Sequence, residues 1–284
     1  MIIVKLMGGI GNQMFQYALY LALQAQGKEV RLDRAKFNHI DEKRGCFLDY
    51  NCFDLKYKLC TKKEARKYVL GTGMTARVLM RLLGDKKTHY YEKADREYDP
   101  CVMQIEEGYI DGYWQSWKYF QNAEQDVRNA YRFMNELTGK NKQTEIQIQN
   151  TNSVSVHIRR GDYVKLQGIY GNICTTEYYE KAIELINQIV EQPTFFFFSN
   201  DMKWTRDTFG EKNNYFYVEE NDEDKGYIDL RLMSVCKHQI IANSSFSWWA
   251  AYLNNNLEKK VICPSRWINA KETPDIYCDG WTLI

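Results

Sequence analysis

No two cysteines of this chain stand in a CxxC spacing, and no zinc-binding pattern joins Cys46, Cys52, Cys60, Cys101, Cys174, Cys236, Cys263 and Cys278. A chain of 284 residues needs no disulfide framework to hold a core, so these read as reduced thiols in a cytosol. Net charge is nearly absent at +1, which excludes a global field drawing the chain to nucleic acid or membrane. Any anion must therefore be bound locally. Apolar runs of membrane-spanning length are missing too; FFFFSND is far too short. The opening MIIVKLMGGIGNQ shows neither a basic leader nor a cleavage site, so a cytoplasmic protein is expected. Low-complexity tracts and internal repeats are lacking as well.

What is present is a β/α rhythm. IIVKL (2–6) reads as a buried strand, followed by the glycine turn GGIGN and an almost wholly apolar helix, with Asn12 able to cap its start and Gly27 its end. EVRLD (29–33) is a second strand, and this β-α-β opening predicts a parallel sheet. Residues 34–100 read as several helices, EEGYIDGYWQS (106–116) as a strand with its exit loop, and 118–137 as a helix. The polar stretch 138–152 is the expected crossing between two halves, 1–150 and 151–284, with the final segment free to pack back on the first.

After it the rhythm is clean. Strands are expected at SVSVHI, PTFFFFSND, NYFYVEE, QIIANS and KKVICP, the last of them. Helices are expected at TTEYYEKAIELINQIVEQ, GYIDLRLMSVCKH and FSWWAAYLNN. Two Rossmann-like halves with parallel sheets facing a central cleft follow from that order. The 21 tyrosines suit a Tyr-rich core as well as sugar stacking.

In open α/β sheets ligands bind beyond the carboxyl ends of the strands. Three polar clusters fall there in the second half: HIRRGD (157–162), SND (199–201) and NSSFS (243–247). Arg159 and Arg160 are two permanent charges where a strand ends, and the planar guanidinium donates paired hydrogen bonds to phosphate oxygens. Ser244, Ser245 and Ser247 open a helix whose free N–H groups add donors. Asp201 can accept from the two N–H groups on the guanine edge. Asp162 can orient an arginine or act as a base toward an acceptor. His157 points away from the Val154, Val156 and Ile158 face, as a core or catalytic group. Together the clusters describe a nucleoside-diphosphate site.

The N-terminal GGIGNQMF lacks the GK[ST] of a phosphate-binding loop. It matches Gly9 and Gly11 of a dinucleotide fingerprint but has Met14 at the third glycine, while Asp33 stands where a ribose-binding acid belongs. A nicotinamide-dependent enzyme is thus one rival. Alternatively Gly9, Gly11, Asn12 and Gln13 form an acceptor-facing loop against which a sugar lies closely. Asp222 and Asp224 form a DxD that reads as a solvated turn rather than a metal site.

GGIGNQMFQYA (8–18), HIRRGDY (157–163), FFFFSND with Trp204, and NSSFSWWAAYL (243–253) together resemble the bacterial α-1,2-fucosyltransferases of glycosyltransferase family 11. The resemblance implies a GT-B-like fold, the donor GDP-β-L-fucose held mainly by the second half, and inverting, metal-free transfer to the 2-hydroxyl of a terminal galactose. It implies Arg159 and Arg160 on the diphosphate, Asp162 and His157 beside the reaction, and Ser199, Asn200, Asp201, Asn243, Ser244, Ser245 and Phe246 around the donor. It suggests β-galactosides of surface polysaccharides as acceptors. Residues 62–87, basic among apolar positions, then leave room for a peripheral contact with the inner membrane face. A non-catalytic carbohydrate-binding protein is the second rival.

Overall fold

The computed structural model describes residues 1–34, 51–69, 86–93, 97–160, 167–222, 225–269 and 274–284. The chain divides into two compact units, Met1–Arg132 and Phe133–Ile284, an earlier boundary than the expected one after residue 150.

The first unit contains β1 (Ile2–Lys5), α1 (Ile10–Ala25), β2 (Val30–Asp33), α2 (Lys62–Tyr68), β3 (His89–Tyr91), β4 (Gly108–Asp111) and α3 (Glu124–Ala130). Its four strands are parallel in the order β2-β1-β4-β3. The apolar sequence of α1 is buried nearly all round, from Met14 to Leu23. Gly9, not Asn12, is the N-cap, and no side chain caps that end. Gly27 does close the other end, at φ 79°, its N–H donating to the Gln24 carbonyl. The helix expected over 118–137 is instead two short 3-10 turns leading into α3. Neighbouring residues there must both face inward: Tyr119 packs edge-on against Trp114 and Phe120 against Phe15. Tyr119 and Phe120 are both buried where the two 3-10 turns meet. Strand β3 escaped the sequence reading because it is three residues long and two of them, Tyr90 and Tyr91, are exposed.

The second unit runs α4 (Gly139–Gln149), β5 (Asn152–Ile158), α5 (Gln167–Tyr170), α6 (Thr176–Ile189), β6 (Pro193–Ser199), α7 (Met202–Phe209), β7 (Tyr215–Tyr217), α8 (Gly226–Val235), β8 (His238–Ile240), α9 (Ser245–Leu253), β9 (Val261–Cys263) and β10 (Thr282–Leu283). All six strands are parallel, in the order β10-β9-β8-β5-β6-β7. Val154, Val156, Phe195 and Phe197 on one face meet Tyr179, Ala182 and Ile186 of α6. Phe196 and Phe198 are buried on the other, so β6 is covered on both sides as its four phenylalanines require. Thr175 caps α6 by accepting from the Tyr178 N–H.

The polar stretch read as a crossing is helix α4, part of this second unit. Its inward side pairs one apolar residue, the wholly buried Ile148, with a charged one. Glu145 is buried and accepts from Arg231 Nη2 at 2.8 Å and from Lys142 Nζ at 2.8 Å. Burial pushes the Glu145 carboxyl up, but those hydrogen bonds outweigh it and hold it below its ordinary range. The chain's end also belongs here: β10 pairs with β9 and closes the sheet edge, a strand beyond the one expected to be last.

Candidate donor site

The strand order settles a condition on which the sequence reading depended. Strand β5 lies between β6 and β8, so the segments following all three leave the same edge of the sheet side by side. Arg160, two residues past β5, is tied directly to the segment after β6. Its backbone N–H donates to Asn200 Oδ1 at 2.9 Å, and its Nε donates to Asp201 Oδ2 at 3.3 Å. Its guanidinium carbon lies 3.8 Å from the centre of the Trp204 ring. Among the described residues neither Nη of Arg160 carries a hydrogen bond. Arg159 and Arg160 are both part-exposed.

Asp201 has a different employment from the one expected. It is the N-cap of α7, its Oδ1 accepting from the Trp204 N–H at 3.2 Å while Oδ2 takes Arg160. Ser199 Oγ accepts from the Asp201 N–H, and Thr205 Oγ1 donates to the Asp201 carbonyl. Each carboxylate oxygen thus already accepts one hydrogen bond, which fixes Asp201 between α7 and Arg160.

His157 is 4% exposed, its Nδ1 2.8 Å from Ser247 Oγ and its ring 5.5 Å from that of Phe246. Burial, then the charge of Arg159, pushes its pKa down to about 3. A neutral, weakly basic ring that bonds to a helix is a fastener between β5 and α9, which corrects its catalytic reading. Asn243 is corrected likewise. It is buried, donates to the Tyr170 and Trp267 carbonyls, and accepts from the Cys174 thiol. Its amide holds loops together rather than facing a ligand. Ser244 is the N-cap of α9, with Ser245 and Phe246, both part-exposed, in its first turn. Every cysteine among the described residues is a free thiol, and burial pushes Cys174 up to about 12. Asp162 lies outside the described residues, as does Asp224; Asp222 is exposed on the turn where its carbonyl accepts from the Lys225 N–H.

One acid went unread in the sequence. Asp229, in the first turn of α8, follows the end of β7 on the same edge of the sheet. A Cβ on Gly226, one turn earlier, would stand 3.9 Å from the Phe246 ring, which ties this helix start to α9. Asp229 Oδ1 accepts from Asn221 Nδ2, and burial pushes its pKa up to about 7 against that bond. In GYIDLRLMSV it passes for the polar side of a helix; only the tertiary placement shows otherwise. Its folded pKa lies above the ordinary carboxylate value of about 3.9. The stability it contributes is therefore complete below about pH 4 and is lost as pH rises through about 7. Asp229→Asn should stabilise the protein by roughly 2–4 kcal/mol at pH 8, with the gain vanishing near pH 4. Urea unfolding at the two pH values measures this, and an equal effect at both would contradict it.

In the first unit the glycine turn is over-determined. Gly8 has φ 78°, and a Cβ there would come within 2.6 Å of Asn12 Nδ2. Asn12 Oδ1 accepts from Gln115 Nε2 at 2.7 Å, and Gly9 leaves open space where a Cβ would stand. Gly11 is buried. Gln13, expected to face an acceptor, is wholly buried and donates to the Gly8 carbonyl, so it supports the turn instead. Gln16 does the same from the next helical turn, donating to Met7 and Gly112 carbonyls. Asp33, the ribose-binding acid of the nicotinamide reading, is buried and accepts from the Tyr109 hydroxyl at 2.8 Å. That employment removes the main support for a dinucleotide.

The sequence profile of Glycosyl transferase family 11 matches residues 80–284. An O-antigen biosynthesis glycosyltransferase, WbnK, of Escherichia coli is 31% identical over 97% of this chain and 98% of its own length. An α-1,2-colitosyltransferase of Escherichia coli is 30% identical over 95% of this chain and 93% of its own. A galactoside α-(1,2)-fucosyltransferase 1 of Mico humeralifer is 26% identical over 51% of this chain and 42% of its own. Among solved structures, the fucosyltransferase NodZ from Bradyrhizobium superposes with a TM-score of 0.52 at 13% identity, covering 88% of this chain and 90% of that one. The fold is thus the two-unit parallel α/β architecture of the GT-B class.

Proposed function

The chain belongs to glycosyl transferase family 11, and we propose that it transfers L-fucose from GDP-β-L-fucose to the 2-hydroxyl of a terminal galactose, inverting the anomeric centre. The observation that carries this reading is the placement of Arg159 and Arg160 at the end of the central strand β5, beside the segment after β6 and the start of α9. In the reaction the bond from the anomeric carbon to the β-phosphate oxygen breaks as the acceptor oxygen attacks from the opposite face. Negative charge gathers on the departing GDP, and the acceptor's proton leaves for a base. Donors aimed at the phosphate oxygens act more strongly on the transition state than on bound donor, which is what lowers the barrier. Two guanidinium groups supply that charge without a divalent cation. Ser245 and the free N–H groups of α9 add donors.

The base is assigned to Asp162, two residues beyond Arg160. Asp201 already fastens Arg160, and a carboxylate within reach of the acceptor hydroxyl suffices. The guanine edge presents two adjacent N–H donors and needs a carboxylate with unfilled acceptors. Asp229 answers that need better than Asp201, since among the described residues its carboxyl accepts only from Asn221. The half-exposed Asn12 and open Gly9 of the first unit serve the acceptor.

A second reading concerns the donor sugar. The colitosyl-transferring relative matches nearly the whole chain, and colitose is fucose without its 3-hydroxyl. The test is a product assay with GDP-fucose and GDP-colitose on a panel of β-galactosides, with EDTA present throughout. Transfer of fucose to the galactose 2-hydroxyl, undiminished by EDTA, is the expected result. A site built to bond the 3-hydroxyl should prefer fucose by orders of magnitude, about 10⁴-fold where such a bond is buried. Exclusive use of the dideoxy sugar would replace the donor assignment, and no turnover of either would leave the carbohydrate-binding rival.

A further inference from the structure

Trp204 belongs to the segment after β6, and no step of the transfer so far uses it. Its indole is half-buried and covers the face of the Arg160 guanidinium at 3.8 Å. The arginine is held from three directions. Asn200 fixes its backbone, Asp201 takes its Nε edge, and Trp204 supports its plane. Trp204 is itself fixed, because its backbone N–H donates to the other oxygen of Asp201 and its ring meets Phe209 edge-on at 6.2 Å. One carboxylate thus couples the arginine to the residue that carries its platform.

This assembly is poorly suited to stabilising the fold. The Arg160 and Asp201 side chains are 31% and 40% exposed, and an ion pair so exposed contributes little. It is well suited to something else. A free arginine side chain samples many rotamers and must be ordered when an anion arrives. Here the Nε edge and the ring plane are already committed, and among the described residues only the Nη end is without a hydrogen bond. That end carries the paired N–H groups that match phosphate oxygens.

We propose that Trp204 is a positioning residue, which with Asp201 orients Arg160 so that its Nη edge meets the diphosphate of the sugar nucleotide. The assignment rests on the nucleotide-transferring reading above. Stacking of this kind predicts that Trp204→Leu lowers kcat/KM for the donor by about 2- to 30-fold. Trp204→Phe, which keeps an aromatic face, recovers most of that loss. Arg160→Lys keeps the charge but cannot stack flat or present a fork.

The decisive experiment is a double-mutant cycle on Trp204→Leu and Arg160→Lys, read as donor kcat/KM and as GDP affinity, with the melting temperature of each free protein alongside. If Trp204 acts through Arg160, Trp204→Leu has little further effect once Arg160 is lysine. Equal losses in both backgrounds, or identical losses for Trp204→Leu and Trp204→Phe, overturn the positioning role and leave the transferase reading intact. Unchanged GDP affinity and turnover in Arg160→Lys alone overturn the positioning role as well, since the planar fork that Trp204 supports would then do nothing at the diphosphate that an ammonium cannot.

Discussion

Arg160→Ala should lower fucosyl transfer by about 100- to 1000-fold while the melting temperature of the protein without ligand falls by no more than about 2–4 °C. The two halves of this expectation come from different features. The kinetic loss follows from removing a preorganised donor aimed at charge that develops on the leaving GDP, in a setting where no solvent dipole is fixed in its place. The intact fold follows from the exposure of the pair: Arg160 meets Asp201 through one hydrogen bond at 3.3 Å, and Asp201 keeps its cap on α7 without it. Losing an exposed ion pair and one stacking contact costs about 1 kcal/mol. Steady-state rates at saturating acceptor, paired with thermal unfolding, give both numbers. A variant that is unstable and inactive in equal measure would recast Arg160 as a structural residue.

The second large effect is on stability rather than rate. Trp248→Ala should destabilise the protein by about 3–5 kcal/mol, a large share of the roughly 5–15 kcal/mol that holds a typical domain together. Trp248 is wholly buried, stacks on Tyr252 with ring centres 5.0 Å apart, and meets Trp249 almost perpendicularly. Its indole N–H also donates to the Ile276 carbonyl, so the substitution leaves a cavity and a buried acceptor without its partner. The midpoint of urea unfolding measures the loss. In the molecules that remain folded, GDP affinity should be unchanged, because the Trp248 contacts lie among α9, Trp281 and Ile276 rather than at Arg160. A loss of nucleotide binding without a loss of stability would contradict this division of labour.

That contrast marks where the sequence is legible. In FSWWAAYL the tryptophans are core, whereas the serines before them open the helix toward the strand ends. The strand ends themselves could be read, because each strand is an apolar run that breaks into polar residues: HIRRGD, SND, NSSFS. What could not be read is which way each polar side chain turns. His157, Gln13 and Asn243 look like ligand contacts in one dimension, yet all three are buried fasteners bonded to Ser247, the Gly8 carbonyl and the Tyr170 and Trp267 carbonyls. Asp229 is the reverse case, an acid that looks like a helix surface and is part-buried, with its pKa pushed up by that burial. Helix α4 escaped because only Ile148 of its two buried positions is apolar; the other is Glu145, matched by Arg231 86 residues away, and no local periodicity reports so distant a partner.

Transfer as proposed depends on one contact, between the guanidinium groups closing β5 and a nucleoside diphosphate. A crystal structure of the protein with GDP tests it most directly. Phosphate oxygens within hydrogen-bond reach of the Arg160 Nη groups, with the indole of Trp204 still flat beneath them, is the predicted result. A diphosphate bound at the glycine turn of the first unit, leaving Arg160 as it is without nucleotide, would contradict it.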